Sequence, residues 1–289
     1  MISVFMAMSV AALLLDAVIS PVLLIGALAI AVISFLDDCY SLSAAIRFSI
    51  HLAVAVLLVV NGYYLTELEV AGWVWQWPLS MAMVVSCLFI VWSINLYNFM
   101  DGMDGFAAGM AIVGFSCFAL LGWQAQHQLF VIANLIVVAA VSGFLLFNFP
   151  PAKIFMGDTG SSTLGFFMAA FSLWASIDNI FPVWIALLIF SPFIVDASVT
   201  LVRRLFAGEK IWKAHRSHYY QRLVQVGWGH RKTVLYAYLV MVLCGISSWL
   251  AIQMDAIFQL SVVLGWIVVY FSIIVGISKL ERRCLIEEK

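Results

Sequence analysis

The chain is 289 residues long, 65% of them hydrophobic and only 10% charged, with a formal net charge of −1 and a mean hydropathy of +1.10. A soluble globule must cover its surface with charged and polar side chains, and this composition excludes one. The 14 basic residues form no stripe along which a nucleic acid could lie, so that partner is excluded too.

Ten apolar runs follow one another along the chain, at about 1–15, 21–36, 44–62, 79–97, 104–123, 129–147, 160–177, 182–202, 233–252 and 257–279. A helix needs roughly 20 residues to cross the hydrocarbon core, so the first two are short. Residues 1–15 carry neither the basic region nor the cleavage pattern of a signal peptide and are read as the start of a span. Pro78, Pro150, Pro151, Pro182 and the glycines near 62, 72 and 227–229 punctuate the series. The expected fold class is all-α, a polytopic transmembrane bundle of about ten spans forming one integral-membrane domain over 1–289. Cys39, Cys87, Cys117, Cys244 and Cys284 show no metal-ligand or CxxC spacing and read as isolated thiols.

Alternation of the runs sorts the charges. If the turn after Asp37-Asp38 is cytoplasmic, the inside segments are 37–47, 98–104, 148–159, 203–232 and 279–289, and these hold all 14 Lys and Arg residues. The opposite loops carry Asp16, Glu67, Glu69, Asp178 and Asp255 and no Lys or Arg. The positive-inside rule then sets an expected topology in the plasma (inner) membrane, with the carboxyl terminus cytoplasmic. Trp73, Trp75 and Trp77 suit an outer interfacial belt, or simple packing in a short loop.

The same alternation gathers Asp37, Asp38, Asp101, Asp104 and Asp158 on the inner side, with Asp196 near the inner end of its span. Acids at the edge of a membrane are costly and tend to be functional. Five in three short loops repel one another unless a cation intervenes, and hard oxygen ligands of this kind suit Mg2+ or Mn2+. In the run Asn95-Leu-Tyr-Asn98-Phe-Met-Asp101-Gly-Met-Asp104-Gly105, the polar residues recur every third position and would share one face if the segment is helical. Gly102 and Gly105 would then open that face to a ligand. In Asn148-Phe-Pro-Pro-Ala-Lys153-Ile-Phe155-Met-Gly-Asp158-Thr-Gly160-Ser-Ser, an apolar helix ends at two prolines and a new helix begins with glycine and serine. Free N–H groups at such a start suit phosphate, although Asp158 and Ser161 taken singly also read as caps. One member of Asp37-Asp38 can face a metal or substrate while the other caps a helix; taken alone, the pair reads equally as a cap for the next helix. In His215-Arg216-Ser-His218-Tyr-Tyr-Gln-Arg222, the basic groups are read as phosphate contacts rather than a transition-metal site, since no third ligand accompanies the histidines. His51 and His127 read as packing or interfacial residues, and His230 as either.

These motifs, in this order, resemble the polyprenyl-phosphate N-acetylhexosamine-1-phosphate transferases, the superfamily of the phospho-N-acetylmuramoyl-pentapeptide transferases and of the enzymes that initiate O-antigen. The resemblance covers essentially the whole chain, and the HRSH spacing resembles the O-antigen branch. It implies transfer of N-acetylhexosamine-1-phosphate from a UDP-sugar to undecaprenyl or another polyprenyl phosphate, with release of UMP, as the first membrane step of a cell-envelope polysaccharide. Residue by residue it implies Asp158 as the Mg2+ ligand, Asp37 and Asp38 as the pair acting on the lipid phosphate, and Asn98 and Asp101 as the motif beside the metal. It further implies Asp104, Asn148 and Phe155 as uridine contacts, with Phe155 the stacking ring, and His215, Arg216 and His218 in the loop that contacts the diphosphate. A lysine common three residues after the Asp pair is Ser41 here, which leaves Arg47 or Lys153 to supply the charge. About eleven spans are usual, so a first span and its following loop are expected to be missing. A homodimer is compatible with the resemblance. The competing readings are an inactive or shortened relative, and a secondary transporter, whose acids would lie near the midplane of repeated halves; no internal repeat is present.

Overall fold

The computed structural model describes residues 20–209 and 216–287, with side chains to residue 284. Helix α1 (Pro21–Tyr40) opens with proline at its first position, where the absent N–H costs nothing. It ends where Ser41 turns left-handed at φ 51°. Helix α2 (Ala44–Val60) returns antiparallel from an N-cap at Ser43, whose hydroxyl accepts from the Ile46 N–H. A two-stranded hairpin, β1 (Glu67–Val70) with β2 (Trp73–Gln76), pairs Glu67 with Gln76 and Val70 with Trp73. It leaves Trp73 and Trp75 exposed. Helices α3 (Leu79–Met100), α4 (Phe106–Gln124), α5 (Gln128–Asn148) and α6 (Gly157–Ile177) follow. Then come a bent pair, α7 (Val183–Ile189) and α8 (Ser191–Phe206), a short α9 (Tyr219–Leu223), a π turn (Val224–Trp228), α10 (Gly229–Ala251) and α11 (Ala256–Glu287).

Seven helical stretches among the described residues are long and apolar enough to span a membrane, and the α7–α8 pair, bent by 78°, makes an eighth. Helix α2 is apolar but shorter. Nine of the ten expected segments therefore fall on helices, and the first, 1–15, lies outside the described residues. The chain is an all-helical, multi-pass membrane protein, with one small hairpin among the described residues. All five cysteines are free.

Helix α6 is the axle of the bundle, with nearly every residue from Ser161 to Ala175 buried. Small residues let its neighbours close on it, because helices in a lipid solvent associate through tight packing rather than hydrophobic expulsion. A Cβ on Gly165 would sit 2.8 Å from the Ile94 Cα of α3, and one on Gly26 of α1 would sit 2.9 Å from the Phe166 ring. The opposite end of the bundle is packed by aromatic rings from α4 to α7. Phe118 lies 5.0 Å from Phe181 and 5.6 Å from Phe190, and Phe130 lies 5.1 Å from Trp174, mostly in tilted or edge-on pairs.

Candidate functional site

The acid-bearing ends of α1, α3 and α6 meet at one face of the bundle. Asp37 and Asp38, adjacent in sequence, point to different tasks. Asp38 caps α6: one carboxylate oxygen accepts from the Asp158 N–H at 3.0 Å, the other from the Thr159 N–H at 3.0 Å and its hydroxyl at 2.7 Å. The helix it caps lies 120 residues on, while the next helix has its own cap in Ser43. A carboxylate at a helix start satisfies orphan N–H groups and the positive dipole end together. Asp37 is buried, and its Oδ2 accepts from Arg47 Nη1 at 2.7 Å. The same nitrogen lies 3.1 Å from Asp158 Oδ2. One guanidinium nitrogen thus draws together two carboxylates from α1 and α6.

The acidic motif after α3 is only partly helical. Asn95 and Asn98 lie on the helix, the first returning its amide to the Val91 carbonyl at 2.7 Å and the second donating to Ser161 Oγ at 3.3 Å. The helix stops at Met100, so Asp101 is a C-cap and Asp104 falls in the turn before α4. The expected four-residue stripe therefore ends at its second member, because Gly102 and Gly105 do not continue a helix. Nor do these glycines open a face to ligand. A Cβ on Gly102 would collide with the Tyr220 hydroxyl, and the Gly105 carbonyl accepts from the Tyr238 hydroxyl at 2.6 Å. The close approach is made by the protein's own α9 and α10. Burial, and then the charge of Asp158, push the Asp101 carboxyl up to about 7.

Asn148 ties the two long motifs together. Its carboxamide oxygen accepts from the Gly105 N–H at 2.9 Å, and its amide donates to the Ile154 carbonyl at 2.8 Å. Asp104 adds a second tie, accepting from the Ala152 N–H at 3.1 Å and facing His230 at 3.3 Å. Between these ties the 149–156 loop, with its cis Pro150–Pro151 bond, presents Phe155 at 78% exposure, with the Lys153 side chain also exposed.

In the basic loop, His215 lies outside the described residues, and Arg216 is exposed. His218 is buried, stacked on Tyr220 and 3.2 Å from Asp196 Oδ1. Asp196 also accepts from the Tyr219 and Tyr220 N–H groups at 2.9 and 3.0 Å, so it fastens the start of α9 to α8. In this arrangement His218 supports the loop from below. A largely apolar cavity of about 320 Å³ lies between α8, α9, α10 and α11; Asp196 and Tyr220 border it, but Asp37, Arg47 and Asp158 do not.

The sequence motifs thus come together at Asp37, Asp38, Asn98, Asp101 and Asp158, with Asp104 and Asn148 in the adjoining loop clamp. Arg47, offered in the sequence only as a substitute charge, proves central. The signal was present, for it is the sole Lys or Arg in the first 150 residues. The donor set suits Mg2+ or Mn2+: two hard carboxylates already reach one cationic nitrogen within 3.1 Å. Among the described residues no group of three or more His, Cys, Asp or Glu converges on a metal position. A cation held here by one or two carboxylates would complete its shell with water or phosphate oxygens, the usual habit of Mg2+.

These features define a membrane-embedded protein with a carboxylate-rich site at one face. A model of glycosyl transferase family 4 matches residues 20–176. A Bacillus subtilis (strain 168) protein described as a probable undecaprenyl-phosphate N-acetylglucosaminyl 1-phosphate transferase is 34% identical over 275 residues, covering 92% of this chain and 73% of that one. The decaprenyl-phosphate N-acetylglucosaminephosphotransferase of Mycobacterium leprae is 30% identical over 243 residues, 76% of this chain and 61% of its own. The phospho-N-acetylmuramoyl-pentapeptide-transferase of Geobacillus thermodenitrificans is 32% identical over 217 residues, 71% and 65% of the two. The chain belongs to glycosyl transferase family 4, within the superfamily of polyprenyl-phosphate N-acetylhexosamine-1-phosphate transferases.

Proposed function

We propose that this chain transfers N-acetylhexosamine-1-phosphate from a UDP-sugar to polyprenyl phosphate at the cytoplasmic face of the plasma membrane, releasing UMP. The observation that carries the reading is the convergence of Asp37 and Asp158 on one cationic nitrogen, beside Asn98 and Asp101. It is supported by the names of the relatives, all transferases, two of which name a polyprenyl phosphate and N-acetylglucosamine. The assignment of all 14 basic residues to the sequence segments on the acid-bearing side of the alternation supports the cytoplasmic orientation. The HRSH spacing favours an O-antigen type of product over a peptidoglycan precursor.

Asp158, with Asp37 beside it, is the proposed holder of Mg2+. Bound there, Mg2+ would neutralise the sugar-nucleotide diphosphate, and phosphoryl transfer depends mainly on such charge stabilisation and on positioning. Asp38 fixes the start of α6 and therefore the position of Asp158. Both oxygens of Asp38 are engaged, so Asp37 is the member of the pair that orients the lipid phosphate and takes any residual proton. A phosphate oxygen of the lipid forms the new bond to the β-phosphorus, and UMP leaves. Lys153 and Arg216, both exposed, and His215 are assigned to the nucleotide phosphates, and the open Phe155 ring is assigned to stacking on uracil. Asn98 orients the α6 start through Ser161, while Asn148 and Asp104 shape the uridine pocket by holding its two loops together.

The test is UMP release by purified protein in detergent with polyprenyl phosphate, Mg2+ and a panel of UDP-N-acetylhexosamines. Release that requires both lipid and donor is expected, and its donor preference would identify the sugar. Absence of release with every donor and lipid would overturn the reading.

A further inference from the structure

His51 is the buried side chain that the reaction as described leaves unused. It is 5% exposed on α2, and neither Nδ1 nor Nε2 has a hydrogen-bond partner. Among the described residues no other buried side chain leaves two ring nitrogens unanswered. An imidazole buried without partners costs free energy that a bound group can return. Its location says what that group is. Arg47 and His51 stand four residues apart and so share one face of α2. Arg47 reaches Asp37 across the α1–α2 pair, and His51 interacts electrostatically with both. The register of this antiparallel pair is set by two contacts, Asp37 with Arg47 and Gly26 with Leu58. It brings His51 level with Ile33 and Ser34, of which Ser34 is itself buried. Since α2 starts at the acid-bearing face, His51 lies four residues, about 6 Å, further toward the hydrocarbon than Arg47.

We infer that His51 and Arg47 together form the seat of the lipid phosphate, Arg47 supplying charge and His51 a hydrogen bond on the hydrocarbon side. A phosphate monoester has three terminal oxygens, Arg47 Nη1 is already shared by Asp37 and Asp158, and at neutral pH one of the oxygens carries a proton part of the time. A neutral imidazole suits both forms: its N–H donates to an anionic oxygen and its bare nitrogen accepts from a protonated one. The group acts as a positioning residue for the nucleophile, and no covalent step passes through it. The ligand class is a phosphate monoester on a membrane-embedded isoprenoid chain, in contrast to the soluble diphosphate of the nucleotide sugar. The inference rests on the proposed function for the identity of that lipid.

The test reads binding and does not need turnover. Purified full-length protein is titrated with polyprenyl phosphate, and with polyprenol as the phosphate-free control, while its melting temperature is followed in detergent. Wild type is expected to bind the phosphate at least tenfold more tightly than polyprenol. His51→Leu should lose that preference by tenfold or more, whereas His51→Gln, which keeps a donor and an acceptor, should stay within about threefold. Wild-type protein with 15N-labelled histidine gives a reading free of any folding defect, since one ring should shift with polyprenyl phosphate and not with UDP-sugar or polyprenol. Equal phosphate preference in wild type and His51→Leu, or no histidine shift with the lipid phosphate, would overturn the inference. Failure of UMP release alongside intact phosphate binding would count against the proposed function alone.

Discussion

The two ends of the bundle both gather polar side chains, and they use them differently. At the aromatic end, Asp178 accepts from Trp174 Nε1 at 2.6 Å and from His127 at 3.0 Å, while His127 also accepts from the Phe130 N–H. One acid meets two donors there, and the cluster closes helices α5 and α6 over the packed rings. At the other end lie five aspartates, and the ion pairs they make among the described residues run to Arg47 and His230. Asp38 and Asp104 are answered by backbone N–H groups, leaving Asp37 and Asp158 to share a single guanidinium nitrogen, with Asp101 buried near the Asp158 charge. Asp178 is matched by donors from its own fold, whereas Asp37 and Asp158 outnumber the nitrogen they share, the kind of acid excess that marks functional sites at a membrane edge.

The largest effect that would sharpen this contrast is in Asp158→Asn, which keeps size but loses charge. It should lower UMP release by about a thousandfold or more, with the melting temperature held within a few degrees. Asp178→Ala should do the reverse, leaving UMP release within threefold while stability falls by about 1–2 kcal/mol through loss of two hydrogen bonds. Equal loss of activity in both variants would break the comparison. Asp38→Ala should lie between them. It strips the cap of α6, costing about 1–2 kcal/mol, and displaces Asp158, so activity should fall by about tenfold to a hundredfold with a higher Mg2+ requirement. Asn148→Ala frees the Gly105 N–H and the Ile154 carbonyl, so the KM for the UDP-sugar should rise by roughly tenfold while the KM for lipid phosphate stays put.

The smallest effect is a pH dependence of stability. Asp101, pushed up to about 7 by burial first and the Asp158 charge second, stays protonated in the folded protein when its unfolded counterpart, at 3.8, has ionised. Its contribution is complete below pH 3.8 and is lost as pH rises through about 7. Metal-free protein in chelator should therefore melt at lower temperature as pH climbs across that window, and Asp101→Asn should flatten the slope. A slope unchanged in that variant would remove Asp101 from the account.

Much of this was legible in the residues. Apolar run lengths placed the helices from α1 onward because the bilayer imposes one length on every span, and alternation sorted acids from aromatics because each span changes side. The break at α7–α8 and the hairpin with Trp73 and Trp75 were hidden, since an apolar run reports neither a 78° bend nor a four-residue strand. Within the site, types were legible and partners were not. Asp37-Asp38 read as one metal or substrate group and one cap, yet which helix is capped depends on a contact 120 residues away. Gly102 looked like room for a ligand because sequence cannot show that Tyr220 comes back to fill it. His218 read as a phosphate contact, and its burial against Asp196 was hidden because that partner sits in an apolar span 22 residues earlier.

The most direct test of the central claim is metal binding itself. Mn2+ titrated into the purified protein with UDP-sugar present, and followed by its electron paramagnetic resonance signal, should bind at one site in wild type and in Asp178→Ala. Binding should weaken by at least a hundredfold in Asp158→Asn. Mn2+ held as tightly by Asp158→Asn as by wild type would contradict the assignment of the carboxylate-rich face as a cation-dependent phosphate site.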